Sequence, residues 1–236
     1  MAKRKSDQDE SIVVEQVTAP TRSSAAWQEY LEKYPNLLLY VVGAAVLLFG
    51  GWWLYKEMVV KPKQKEAIEA MWQAERQFER DSFNLALTDP GGGYDGFLVL
   101  ADKFSGTPAG EMARYYASIC YLQTGDYDNA IDQMKQFDPN GGSLMPALKY
   151  GILGDCYSEK EDYDKAASYY DKAASNTDNN LLGIYYLKKL GMLHEYQGNY
   201  KAAVKAYERL RKDFPTPTAG DWRDIEKYIY RAKTKL

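Results

Sequence analysis

The chain has 236 residues, 45% of them hydrophobic and 27% charged, a balance that suits an ordered protein with a core. A net charge of −3 is too small to draw in nucleic acid, and no Lys/Arg stripe is visible. Two cysteines exclude a disulfide framework and a zinc site of the usual paired spacing.

Residues 1–33 are mostly polar and read as a largely disordered tail, with a short surface helix possible only near its end, around Trp27 and Tyr30. A transmembrane helix is expected over 35–55. The run "LLLYVVGAAVLLFGGWWLY" carries no charge over 19 residues. As a helix it reaches roughly 28 Å, close to the ~30 Å hydrocarbon thickness. Tyr34 and Tyr40 mark one interface, and Trp52, Trp53 and Tyr55 the other. The run starts too late and is too long for a cleaved signal peptide, so one uncleaved span in a lipid bilayer is expected. Charge does not orient it: five Lys/Arg precede the span and four follow closely.

Beyond the span, residues 56–104 read as a connecting helix and a degenerate repeat. Pro62 is expected to interrupt the helix there. A new, largely apolar face, Ile68, Met71, Trp72, Glu75 and Phe78, points to a helix running to about Leu87. The stretch "TDPGGGYDG" reads as a loop; no Gly-Lys-Ser/Thr follows its glycines to make a phosphate cradle.

Three segments then repeat one pattern: "GDYDNAIDQM", "EDYDKAASYY" and "GNYKAAVKAY". Their tyrosines, Tyr127, Tyr163 and Tyr200, are 36 and 37 residues apart. A period near 34 with two helices per unit resembles the tetratricopeptide repeat. The middle unit carries the family's small and aromatic positions as Gly154, Tyr157, Ala166, Tyr170 and Ala173. The third has Gly191, His194, Ala203, Tyr207 and Pro215. The first keeps Tyr121, Gly125, Tyr127 and Ala130 but departs with Ser118 and Met134. The expected fold is all-α: a transmembrane helix, then a tetratricopeptide-type α-solenoid with three repeats over 105–217 and a capping helix over 218–236.

Chemistry is sparse. His194, the single histidine, occupies the position of Tyr121 and Tyr157 and reads as a packing residue. No nucleophile elbow is visible. Cys120 and Cys156 occupy equivalent repeat positions and read as buried thiols. "NTDNN" lacks the spacing of a calcium loop. No enzyme activity, cofactor or metal is expected.

Binding is the default function of a solenoid. The resemblance places a protein-binding groove on the inner face of each first helix. That gives Met112, Tyr115, Tyr116, Ile119 and Leu122 in the first unit, and Leu148, Ile152, Asp155 and Glu159 in the second. The third supplies Tyr185, Lys188, Lys189, Met192 and Glu195. A subgroup of the family clamps chaperone C-terminal carboxylates with Lys and Asn; Tyr115 and Ile119 stand at two of those positions, so the clamp does not carry over. An aromatic, Met-containing groove favours apolar segments. Part of that face has a plainer alternative, packing on the N-terminal helix pair.

The layout of tail, span and repeats, ending in "DFPTPTAGDWRDIEKYIYRAK", resembles the bacterial ancillary SecYEG translocon subunit family (YfgM-like). The stretch "KFSGTPAGEMARYYASICYLQTGDYDNA" is similar to the same group. This resemblance implies a span in the bacterial inner membrane, a cytoplasmic tail and repeats in the periplasm. The implied partners are translocon subunits in the membrane, with exported polypeptides or periplasmic chaperones at the groove. The rival reading is a cytosol-facing repeat receptor or assembly factor for a membrane complex.

Overall fold

A computed structural model describes residues 36–139, 142–214 and 224–236, and every regular element among them is helical. The expected tail, Pro35, Pro215 and the first part of the expected capping segment lie outside the described residues. The chain divides into two compact units, 1–55 and 56–236. In the first, helix α1 (Leu37–Tyr55) is long and apolar enough to cross a membrane. Its large side chains are exposed, with Leu47 77% and Phe49 70% accessible, which water penalises and lipid does not.

The second unit opens with a π-helical turn, Lys56–Val60, that leads directly into α2 (Lys61–Phe78). The expected break at Pro62 does not occur. Pro62 follows directly on the π-helical turn, and Val60 before it keeps helical backbone angles (φ −71°, ψ −45°), so the wider turn carries the helix past the proline. The buried face of α2 also differs from expectation. Ala67, Met71 and Ala74 are buried, while Ile68 and Trp72 point outward. Trp72 instead meets the Tyr94 ring edge-on at 5.5 Å, with the Arg76 guanidinium 5.2 Å from its centroid.

α2 stops at Phe78 rather than near Leu87. Asp81 takes a left-handed turn (φ 56°), and the Ser82 N–H donates to the Gln77 carbonyl at 2.9 Å. The chain reverses, and Phe83 on α3 (Phe83–Leu87) packs 5.5 Å from Phe78. The glycine-rich stretch is a loop, held by Gln73 and Gln77 side chains that donate to the Pro90 carbonyl. α4 (Phe97–Lys103) follows.

Three helix pairs come next: α5 (Pro108–Gln123) with α6 (Tyr127–Gln136), α7 (Leu144–Glu159) with α8 (Tyr163–Ser175), and α9 (Asn180–Tyr196) with α10 (Tyr200–Asp213). Helix α11 (Ile225–Lys233) packs on α10. The repeated motif is the turn inside each pair. Its first residue is left-handed: Gly125 at φ 81°, Glu161 at 60° and Gly198 at 73°. Its second residue, Asp126, Asp162 or Asn199, caps the next helix by accepting a backbone N–H at 3.3 Å. Its third is the tyrosine, which reaches the far end of the following unit. Tyr127 donates to Glu159 at 3.4 Å, Tyr163 meets Tyr196 at 5.4 Å, and the Lys235 ammonium lies 5.3 Å from the Tyr200 ring. The spacing of the tyrosines is thus a stacking contact.

Within each pair the small residue marks the helix crossing. A Cβ on Gly154 would lie 2.6 Å from the Tyr170 ring, and one on Gly191 2.2 Å from the Tyr207 ring. The first unit replaces glycine and ring together. Ser118 is fully buried and donates its hydroxyl to the Ala130 carbonyl at 2.8 Å, and Met134, slimmer and more flexible than a ring, leaves the space it needs. Apolar packing falls into an N-terminal cluster around Phe97 and Leu100, a middle one around Met134 and Leu153, and a C-terminal one around Leu187, Tyr207 and Ile225.

Candidate protein-binding groove

The first helices α5, α7 and α9 meet two adjoining depressions whose shared wall is Ser158, Tyr170 and Lys189. The wall is held by one carboxylate. Asp155 accepts from the Tyr170 hydroxyl and from the Lys189 ammonium, each at 2.6 Å. The Lys189 ammonium also lies 5.4 Å from the Tyr170 ring and 5.2 Å from the Tyr185 ring. Burial works against the charge on Lys189, but the Asp155 carboxylate and Tyr185 outweigh it and raise its pKa. Burial, reinforced by Asp155, pushes the Tyr170 phenol well above its ordinary range. Lys189 therefore keeps its charge at neutral pH.

On one side lies a polar depression of about 530 Å³, bounded by Leu122, Gln123, Tyr127 and Glu159. On the other lies a more apolar one of about 360 Å³, bounded by Tyr163, Met192, Leu193 and Tyr196. The predicted residues Leu122, Asp155, Glu159, Lys189 and Met192 come together here, with Tyr185 beside them. Tyr127, Ser158, Tyr163, Tyr170 and Tyr196 were not predicted. Three of them, Tyr127, Tyr163 and Tyr170, are tyrosines that the repeat pattern had assigned to packing alone, and the signal that would have found Tyr127, Tyr163 and Tyr196 was their place at the ends of the stacked helices.

The other predicted residues sit elsewhere. Met112 and Tyr116 border a separate depression of about 180 Å³ with Ile68 and Met71 of α2. Tyr116 stacks on Phe97 at 5.1 Å and meets Phe78 at 5.0 Å, so this part of the aromatic face does pack on the N-terminal helices. Tyr115 meets Phe137 at 5.8 Å, with Ile119 half-buried in the same middle cluster. Leu148 is half-buried, and Ile152 belongs to the core at 8% exposure. The Lys188 ammonium lies 5.5 Å from the Tyr228 ring.

Glu195 repeats the part played by Asp155. It accepts from the Tyr207 hydroxyl at 3.0 Å and pairs with Arg231 of α11 at 2.8 Å. Each carboxylate thus ties a tyrosine of its own pair to a cation of the next element.

The thiols and the histidine lie away from the depressions. Cys120 and Cys156 are free and fully buried, and burial pushes both thiols up to about 12. His194 is half-buried beside Asp171, Lys205 and Arg209, and burial lowers its pKa. Among the described residues no three His, Cys, Asp or Glu side chains gather at metal-binding distance.

Residues 112–139 and 145–214 match two family models, each described as tetratricopeptide repeat. These segments are tetratricopeptide repeats. The longer match takes in nearly all of α7 to α10, among which α7, α8 and α9 line the apolar depression and part of the polar one, and the shorter takes in most of α5 and all of α6, which supply Leu122, Gln123 and Tyr127. No curated protein matches the chain. Tetratricopeptide repeats indicate a protein–protein interaction scaffold.

Proposed function

We propose that the chain is a membrane-anchored protein-binding scaffold that works as an accessory component at the Sec translocon. Its α1 helix lies in the bacterial inner membrane beside translocon subunits. Its repeats, in the periplasm, engage exported polypeptides or periplasmic chaperones through the predicted groove. The observation that carries the binding role is the pair of depressions around Asp155 and Lys189, with the half-exposed Met192 and Tyr185 at 47% and 42% beside them. The charge-free, exposed α1 supports the anchor. The layout shared with the YfgM-like group supports the assignment to the translocon.

Both native thiols are fully buried, so a cysteine at the exposed Lys227 offers a clean label for orientation. Lys227→Cys should react with an impermeant maleimide added outside intact spheroplasts. Labelling only after lysis would place the repeats in the cytosol and favour the receptor or assembly-factor reading. Photocrosslinkers at Met192 should capture soluble or exported proteins, and crosslinkers at Gly50 should capture translocon subunits. If Gly50 reached no translocon subunit, the scaffold would stand without its assignment to the translocon.

A further inference from the structure

The two depressions differ in charge in a way that specifies a ligand. Lys189 cancels Asp155 at the shared wall, in an ion pair at 2.6 Å. Lys160, next along the chain, is paired with Asp128. Among the described residues, the polar depression is left with the charge of Glu159, which is exposed and accepts from the Tyr127 hydroxyl at 3.4 Å. A carboxylate beside an aromatic ring and a half-buried Leu122 suits an ammonium or guanidinium on an aliphatic stem. The adjoining depression, with Met192, Leu193, Tyr163 and Tyr196, has Lys189 as its one charged wall residue among the described residues, already paired with Asp155. It suits a large apolar side chain.

We propose that the groove selects polypeptide segments in which a Lys or Arg lies within a few residues of a large apolar residue. Glu159 and Tyr127 receive the cation, and Met192, Leu193 and Tyr196 receive the apolar side chain. The Asp155–Lys189 pair between them fixes the register and keeps the two subsites apart. This rests on the groove being the binding surface. An acidic apolar segment is rejected, because its carboxylate would face Glu159 at a wall whose Lys189 is already paired with Asp155.

The test uses the full chain in detergent micelles and fluorescein-labelled Gly/Ser peptides carrying one Lys and one Leu, adjacent or separated by one or two residues. Binding is read by fluorescence anisotropy. At least one spacing should bind, and exchanging its Lys for Glu should weaken binding about fivefold or more. Glu159→Gln should bring that ratio close to one, and exchanging Leu for Ser should weaken binding in both proteins. Met192→Arg, a change at a half-exposed position, should abolish binding while the circular dichroism melt stays unchanged.

If Lys and Glu peptides bound equally but Met192→Arg still removed both, the selectivity would be wrong and the groove would stand. If binding survived Met192→Arg and Glu159→Gln alike, the groove itself would be misplaced. Absence of binding at every spacing up to about 1 mM would also overturn the proposal.

Discussion

At Gly191 the protein leaves no room for a methyl group: an added Cβ would sit 2.2 Å from Cε1 of Tyr207, a ring that is fully buried and tied to Glu195. Gly191→Ala should destabilise the domain by about 1–3 kcal/mol in urea unfolding, and Gly154→Ala by less, since its clash with Tyr170 is milder. The opposite sign is expected at Glu161, which holds the left-handed turn position that glycine fills in the other two units. Glu161→Gly should stabilise by up to about 1 kcal/mol in the same measurement. His194 supplies a pH dependence. Burial lowers its pKa below the ordinary 6.5, although Gln197 and Asp164 oppose this. Between the two values the unfolded chain binds the extra proton, so the stability that the neutral ring contributes is present above 6.5 and is lost as pH falls through the folded pKa. His194→Tyr fills the equivalent of Tyr121 and Tyr157 and removes this loss. Its melting temperature relative to the natural chain should therefore rise between about pH 7.5 and pH 5.

Helix α11 closes the stack by covering the end of α10 with Ile225, Ile229 and Ala232, all buried, and by offering Arg231 to Glu195. Ile225→Ala should cost about 2–4 kcal/mol, which a denaturant midpoint would report. Cleavage in limited proteolysis should then begin in α10 rather than in α5. The helix pairs themselves were legible because their instruction is local: a left-handed turn, a cap and a tyrosine within three residues, then alanines at helical spacing. The N-terminal helices were harder. Ile68, Trp72 and Ala67, Met71 make rival apolar faces on one helix, and only the tertiary partners Phe97 and Tyr94 decide between them. Pro62 signals a break when taken alone, yet the turn before it widens to a π-helix and the chain stays helical, which nothing local announces. On α7 and α9 the inward face that the repeat resemblance implies does meet the two depressions, through Asp155, Glu159, Lys189 and Met192. What pattern reasoning missed were contacts between units, such as Tyr163 with Tyr196, since no short-range spacing encodes them.

The whole molecule joins two units with opposite demands on solvent, an α1 whose side chains are exposed and a repeat domain with its own core. A chain beginning at Lys56 should remain in solution without detergent and unfold at the denaturant midpoint of the complete protein. A large drop in that midpoint would show that the domain draws stability from the preceding residues. The two carboxylate clasps also set a timetable. Asp155 waits for a lysine 34 residues further on, and Glu195 for an arginine 36 residues further on. A chain delivered N-terminus first, whether from a ribosome or through a pore, completes each unit only when the next has emerged. Maturation therefore trails synthesis by one repeat, and the second clasp is sealed only once Arg231 has emerged. A chain stalled before that point exposes an unsealed unit to any quality-control protease that samples it.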